Sequence, residues 1–299
     1  MSMTSLSDLA APAKLNLFLH VLGRRADGYH LLESVFVLID WADTLHLELR
    51  HDGQLQRHDL GPTLPDDDLC LRAARSLQQA SGTSLGADIS IFKQVPWGAG
   101  MGGGSSDAAT TLLGLNRLWG LNWPRAKLLS LGARLGADVP FFIGGHNAFV
   151  EGIGEKLTPI DVPPQRFAVI KPPQAIATAA IFSSDLVTRD TKPAIVAGSS
   201  ANTVCEQNSK MLLGGFGHND LQAAAEALCP EVTQARQWLE QQFGNSRMTG
   251  SGSAVFARVE DNGTGERPVA TELEGGLPEG WVGRMCRSLV EHPLVGWAS

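Results

Sequence analysis

Tyrosine is almost absent from this sequence, and cysteine is sparse. Its 299 residues hold one tyrosine and four cysteines, Cys70, Cys205, Cys229 and Cys286. No two cysteines have the C-x-x-C spacing of a zinc or redox site, and their spread is unlike a small disulfide framework. Four reduced, mostly buried thiols are expected. The eight histidines form no H-x-x-x-H or H-E-x-x-H pattern, so the common helical zinc signature is missing. No apolar run approaches the ~18 residues of a membrane span. Asp8 and Lys14 interrupt the region where a secretory signal would need apolar residues. Positive charge is in deficit, with 24 basic against 31 acidic residues and a net charge of −7. Neither a nucleic-acid nor an anionic-membrane partner fits that balance, since both need a basic footprint. A cytoplasmic globular protein of α/β or α+β class is expected.

Glycine is what the sequence has in excess. There are 33, about 11% against a usual ~7%. They cluster, so the excess has a local cause. Before the cluster, Ala13, Leu15, Leu17, Leu19 and Val21 alternate with Lys14, Asn16, Phe18 and His20. Period two predicts a strand over about 12–22 with one apolar face. Lys14 and Asn16 then share a side, ~6.6 Å apart at ~3.3 Å per residue. Asparagine is a poor strand former, so two polar groups projecting together suggest a cleft wall. Further strands are predicted at 33–39, 44–50 and 88–92. Leu69, Ala73, Leu77 and Ala80 recur at helical spacing behind the acidic start Asp66-Asp67-Asp68. Helices are predicted from Ser105 to about Trp119 and from Pro124 to Leu135, followed by a loop at 136–140 and a strand near 147–151. Gly152, Gly154, Pro159, Pro163 and Pro164 form a composition break. It divides the chain into domains 1–160 and 161–299. In the second, strands are predicted at 167–171, 247–249, 254–259 and 281–287, and 188–218 reads as loop with some helix.

Five glycines fall within 98–104, in Pro96-Trp97-Gly98-Ala99-Gly100-Met101-Gly102-Gly103-Gly104-Ser105-Ser106. Glycine is costly inside regular elements and useful where the backbone needs positive φ or close approach to a ligand. Exposed N–H groups leading into a helix N-terminus make an anion site, and Ser105 and Ser106 could cap that helix and donate to phosphate. Gly98, Gly100 and Gly103 satisfy G-x-G-x-x-G. A dinucleotide fold would also want an acidic residue about 20 positions on, and none occurs between Asp107 and Asp138. No G-x-x-x-x-G-K-[ST] is present, which excludes a P-loop NTPase.

These residues resemble the phosphate loop of the GHMP kinases. Three further segments strengthen the resemblance and point to one branch of that family. They are Ala11-Pro12-Ala13-Lys14-Leu15-Asn16-Leu17, then Arg25-Ala26-Asp27-Gly28-Tyr29-His30 with Leu32-Glu33-Ser34, and Leu135-Gly136-Ala137-Asp138-Val139-Pro140-Phe141-Phe142. Met248-Thr249-Gly250-Ser251-Gly252-Ser253-Ala254 adds a fourth. The resemblance implies a two-domain α+β fold, with an N-terminal domain like ribosomal protein S5 domain 2 and a ferredoxin-like C-terminal domain. It implies transfer of the γ-phosphoryl group of ATP to the tertiary 2-hydroxyl of a cytidine-diphosphate-linked methylerythritol. That reaction serves non-mevalonate isoprenoid biosynthesis. A sibling kinase with another alcohol acceptor and a non-catalytic nucleotide-binding relative remain the alternatives.

Site roles follow from the same resemblance. Asp138 is the expected general base and Lys14 its catalytic partner. Asn16 and Thr178 belong to the substrate site, with cytosine held between the rings of Tyr29 and Phe182 and its edge read by His30. ATP is expected along 96–106, with adenine near Asp68. The family usually has asparagine where Asp68 stands; an ionised aspartate cannot donate, although it can accept from the adenine amine. Mg²⁺ is expected with ATP. No carboxylate ligand is apparent, and Ser106 is the best protein candidate.

Overall fold

The computed structural model describes residues 3–194, 215–259, 273 and 276–299. Cys205 and most of the 188–218 stretch lie outside the described residues. Two long strands, β1 (Ser5–Arg24) and β2 (His30–Arg50), run antiparallel along most of their length. On the other side of β2, its first part pairs with β5 (Ala148–Gly152) and its last part with β4 (Gly86–Phe92). Strands β3 (Leu55–Asp59) and β6 (Lys156–Pro159) complete a sheet that has six strands among the described residues, where β3 and β4 pair parallel and the other pairs are antiparallel.

β2 replaces two predicted strands. The polar interruption at Asp40–Asp43 reads as a break, yet Ala42 and Asp43 pair with Pro12 and Ala11. Asp43 is fully buried, and its carboxylate accepts from the N–H groups of Gln94 and Val95. β1 also departs from the predicted pattern, because both its faces are buried. A register shift between Asn16 and Leu19 puts Phe18 into the same apolar cluster as Leu15 and Leu17.

Helices cover one face of this sheet. Helix α1 (Leu69–Ser81) starts at Asp68, whose carboxylate accepts from the Leu71 N–H, and ends at left-handed Gly82. Helix α2 (Gly103–Leu118) crosses β1 and β2. Helix α3 (Arg125–Gly132) is shorter than predicted, with Pro124 outside it as the N-cap residue. A short helix, α4 (Val139–Gly144), occupies what reads as the end of a loop. Together they bury Leu77, Ala108, Leu112, Leu128 and Phe141 against Leu38, Leu45 and Ile89.

A second, four-stranded antiparallel sheet has the order β10 (Val282–Arg287), β7 (Arg166–Lys171), β9 (Val255–Val259), β8 (Arg247–Met248). Between the two sheets lies a core of Leu15, Val35, Val37, Trp41, Phe167, Val169 and Phe256. On its far side α6 (Gln222–Leu228) and α7 (Pro230–Phe243) form a third core. Helix α5 (Thr178–Ser183) stands at the edge of that core, through buried Ile181. The end of β1 reaches this third core, where Leu19 and Val21 pack with Ile170, Leu221 and Ala225. No helix among the described residues is long and apolar enough to cross a membrane.

Candidate active site

The glycine loop enters α2 differently from the expectation. Gly102, with φ +70°, is the N-cap, and Gly103, Gly104, Ser105 and Ser106 form the first helical turn. The serines therefore do not cap the helix; the Ser106 N–H already donates to the Gly102 carbonyl at 2.9 Å. Positive φ occurs at Gly98, Gly100 and Gly102, and Gly103 has no such requirement. The residues between them point inward, with Ala99 and Met101 buried in the core between the sheets. Alternation thus leaves Gly98, Gly100 and Gly102 lining a cavity of about 330 Å³. Pro96 and Trp97 lie outside it, and Trp97 is 76% exposed.

A second glycine loop, Gly250-Ser251-Gly252, closes the same cavity. A Cβ on Gly100 would collide with the Thr249 carbonyl, and one on Gly250 would lie 2.6 Å from the Gly100 carbonyl oxygen. The Ser253 and Ala254 N–H groups donate to Gly98 and Ala99, each at 3.2 Å. The two loops, one from each sheet, therefore meet backbone against backbone.

β1 supplies the polar wall. The Lys14 N–H donates to Met101 at 2.9 Å, which ties the strand to the first loop. Lys14 Nζ donates to Asn16 Oδ1 at 2.6 Å, lies 3.6 Å from Asp138 Oδ2, and sits 4.2 Å over the Phe36 ring. Burial lowers its pKa and the Asp138 carboxylate opposes that shift. Asn16 Nδ2 donates to Ser34 Oγ at 2.9 Å, and its N–H donates to Thr249 Oγ1 at 2.9 Å. Asp138 immediately precedes α4 but makes no capping bond, so its carboxylate is left to the cavity, where 30% of the side chain is exposed. Lys14, Asn16, Asp138, Thr178 and Phe182 are all brought together in this lining. The Thr178 hydroxyl bonds Ser251 Oγ at 2.8 Å.

A larger cavity, about 670 Å³, lies against the second sheet between Phe243 and Phe256. It contains neither glycine loop nor any of these residues, so the smaller one is the candidate site.

Family models match twice: the GHMP kinases N terminal domain over residues 68–146, and the GHMP kinases C terminal over 207–267. The 4-diphosphocytidyl-2-C-methyl-D-erythritol kinase of Methylibium petroleiphilum is 62% identical over 299 residues, covering all of both chains. The chain belongs to the 4-diphosphocytidyl-2-C-methyl-D-erythritol kinases, within the GHMP kinases. The relative from Variovorax paradoxus is 56% identical over 302 residues, with 99% of this chain and 100% of that one covered. A crystal structure of a 4-(cytidine 5'-diphospho)-2C-methyl-D-erythritol kinase, 35% identical, superposes with TM-score 0.70 over 85% of this chain and 90% of that one. Homoserine kinase from Cytophaga hutchinsonii, 16% identical, shares the fold with TM-score 0.64 over 96% and 95%.

The remaining residues expected from GHMP kinase resemblance fall at different distances from the cavity. His30 stacks on Phe182, with ring centroids 4.9 Å apart and planes at 28°. Tyr29 does not take part; it stands on the turn closed by Asp27 and is 60% exposed. Among the described residues the ring stacked on Phe182 is that of His30. Asp68 is outside the cavity lining, and besides capping α1 it pairs with Arg57 at 3.0 Å. Its neighbour Leu69 lies nearer the glycine loop: a Cβ added at Gly104 would stand 3.6 Å from Leu69 Cδ1.

Sequence reasoning missed one group here. Lys93 Nζ donates to Asp107 Oδ2 at 2.6 Å and also to Asp43. All three side chains are buried or nearly so. Asp107 closes the glycine-rich motif, but isolated charges at 43 and 93 look like solvated surface, and nothing in the sequence ties the three together. The signal that could have found Lys93 is its position just before the Val95-Pro96 start of the loop.

Proposed function

We propose that this chain transfers the γ-phosphoryl group of ATP to the 2-hydroxyl of 4-diphosphocytidyl-2-C-methyl-D-erythritol, in the non-mevalonate route to isoprenoid precursors. The observation that carries this reading is the Lys14–Asp138 pair, 3.6 Å apart in the cavity where both glycine loops meet. The names of relatives 52–62% identical support the choice of acceptor. A cytoplasmic enzyme with a small-molecule partner fits this chemistry.

Phosphoryl transfer needs placement and charge stabilisation more than covalent help. The positive-φ glycines bring backbone N–H groups to the phosphates at the start of α2, whose dipole favours negative charge. The acceptor hydroxyl oxygen attacks the γ-phosphorus, the bond to the β–γ bridging oxygen breaks, and ADP leaves with that electron pair. Asp138 takes the hydroxyl proton, an effect worth about 10²–10⁴-fold. Lys14 fixes the direction of that carboxylate, while Asn16, Phe36 and Asp138 together hold the ammonium in place. Asn16 and Thr178 orient the acceptor, and His30 and Phe182 take the nucleobase.

Among the described residues no group of three or more histidine, cysteine, aspartate or glutamate side chains could hold a metal. The donor that fits Mg²⁺ is Ser106, whose hydroxyl is wholly buried and lacks a hydrogen-bond partner. A single protein oxygen suits an ion that keeps waters and phosphate oxygens as its other ligands. Mg²⁺ bound there with ATP would neutralise phosphate charge. The test is ADP release from ATP with and without 4-diphosphocytidyl-2-C-methyl-D-erythritol, against homoserine, mevalonate and galactose. Turnover with the cytidine substrate alone supports the reading. Equal turnover with another alcohol sinks it.

A further inference from the structure

Arg189 is the residue of the nucleobase end that the mechanism has not used. Its Nε–H donates to His30 Nε2 at 3.1 Å. Its other nitrogens donate to the carbonyls of Phe182 at 3.0 Å, Ser184 at 2.8 Å and Val187 at 3.1 Å. One guanidinium therefore holds both the imidazole and the carbonyl of the residue on which that imidazole stacks.

Arginine has donors and no acceptor. A ring nitrogen that receives a bond from it cannot itself carry a proton. In a neutral imidazole the proton then resides on the other nitrogen, since the bond at one nitrogen fixes the tautomer. His30 is neutral near pH 7, because burial and then the Arg189 and Arg24 charges push its pKa below the usual value. Nδ1–H is thus the ring nitrogen that the Arg189 bond leaves to a ligand, and it is a donor. Cytosine presents an acceptor at N3, where uracil presents an N–H. A fixed donor bonds the first and meets the second proton to proton.

We propose that Arg189 is a positioning residue that holds His30 as the Nδ1–H tautomer and so makes the site prefer cytosine over uracil. This rests on the reading of His30 and Phe182 as the nucleobase site. A site built to pair one polar pattern rejects an analogue that leaves its buried groups unpaired. Arg189 sets that pattern without touching the base.

The test uses the full chain with CDP and UDP as calorimetric probes, and ¹⁵N-detected imidazole spectra of His30 without ligand. Three variants are compared: Arg189→Met, Arg189→Lys and Phe182→Ala. The parent should show an unprotonated Nε2 and bind CDP more tightly than UDP. Arg189→Met should move the proton to Nε2 in part and lower the CDP-over-UDP ratio about tenfold or more, as expected for loss of a discriminating polar contact. Arg189→Lys, which keeps a donor, should restore part of both. A merely structural role would weaken CDP and UDP together and leave the tautomer alone, which overturns the proposal. An unchanged ratio in Arg189→Met with normal CDP loss in Phe182→Ala overturns the role of Arg189 only. Unchanged CDP binding in Phe182→Ala shows that the base sits elsewhere, and both readings fall.

Discussion

Lys93 Nζ lies 2.6 Å from Asp107 Oδ2, and the two residues stand at opposite ends of the glycine loop. Lys93 precedes it, Asp107 is in the first turns of α2, and Asp43 of β2 completes the network beneath. Since Asp43 also accepts from the Gln94 and Val95 N–H groups, the lead into the loop is fastened twice. Lys93→Met would leave two carboxylates buried without their cation. Breaking such a pair costs about 3–5 kcal/mol, far more than an exposed pair. Urea unfolding should show that loss, with part recovered in the double variant Lys93→Met/Asp107→Asn, where one of the charges is gone. A loss under about 1 kcal/mol, the level of a surface pair, would mean that the network is dispensable.

Asp138→Asn should abolish turnover while nucleotide affinity stays near the parent value. The amide keeps the shape beside Lys14 and cannot take a proton. Turnover is expected to fall at least about a hundredfold. Single-turnover rates and ATP-analogue binding, measured together, check this. A smaller fall would remove Asp138 as the base.

Gly100→Ala addresses the meeting of the loops. Gly100 has φ +72°, and its added Cβ would strike the Thr249 carbonyl and lie 3.0 Å from Gly252 N. Left-handed backbone alone costs a non-glycine residue about 1–2 kcal/mol; the collision acts beyond that by pushing the two loops apart, so KM for ATP and for the acceptor should both rise. Gly120→Ala, also at positive φ but with open space around it, is the control for backbone strain without collision. Equal effects of the two variants on KM would refute the contact.

Acid should destabilise the fold in a defined window. His292 is fully buried, and burial, then the Arg125 charge, pushes its pKa from 6.5 down to about 4. The unfolded chain takes the proton near 6.5 and the native chain only near 4. Stability from this group is therefore complete above 6.5 and is lost as pH falls toward 4, by about 3 kcal/mol at most. His20, also lowered to about 4 by burial and then by His218, acts in the same direction. Unfolding free energies at pH 7 and near pH 4.5, for the parent and His292→Asn, should differ by a smaller slope in the variant.

Local pattern made much of the molecule legible. Alternation from Ala13 to Val21 gave a strand, Asp68 gave the start of α1, and the crowding of glycines at 98–104 gave the loop that lines the cavity. Four motif blocks in family order gave the GHMP kinases. What stayed hidden depends on partners distant in sequence. The break at Asp40–Asp43 looks like a turn until Gln94, Val95 and Lys93 arrive to satisfy Asp43. Ser105 and Ser106 read as caps because serine favours that position, yet the N-cap is left-handed Gly102, where a Cβ would crowd Phe142 and Lys14. His30 sits beside Tyr29 in sequence, but the Arg189 that bonds its ring is 159 residues away.

β1 carries a consequence for synthesis. Its middle packs between the sheets, while Leu19 and Val21 at its end pack with residues of 168–257. Domains generally fold from the N-terminus as the chain is made. Here the opening hairpin leaves the ribosome with a greasy end whose covering is among the later parts to be translated. Slow translation after residue 160 would prolong that exposure. β1 is thus sealed only after the later sheet has been made.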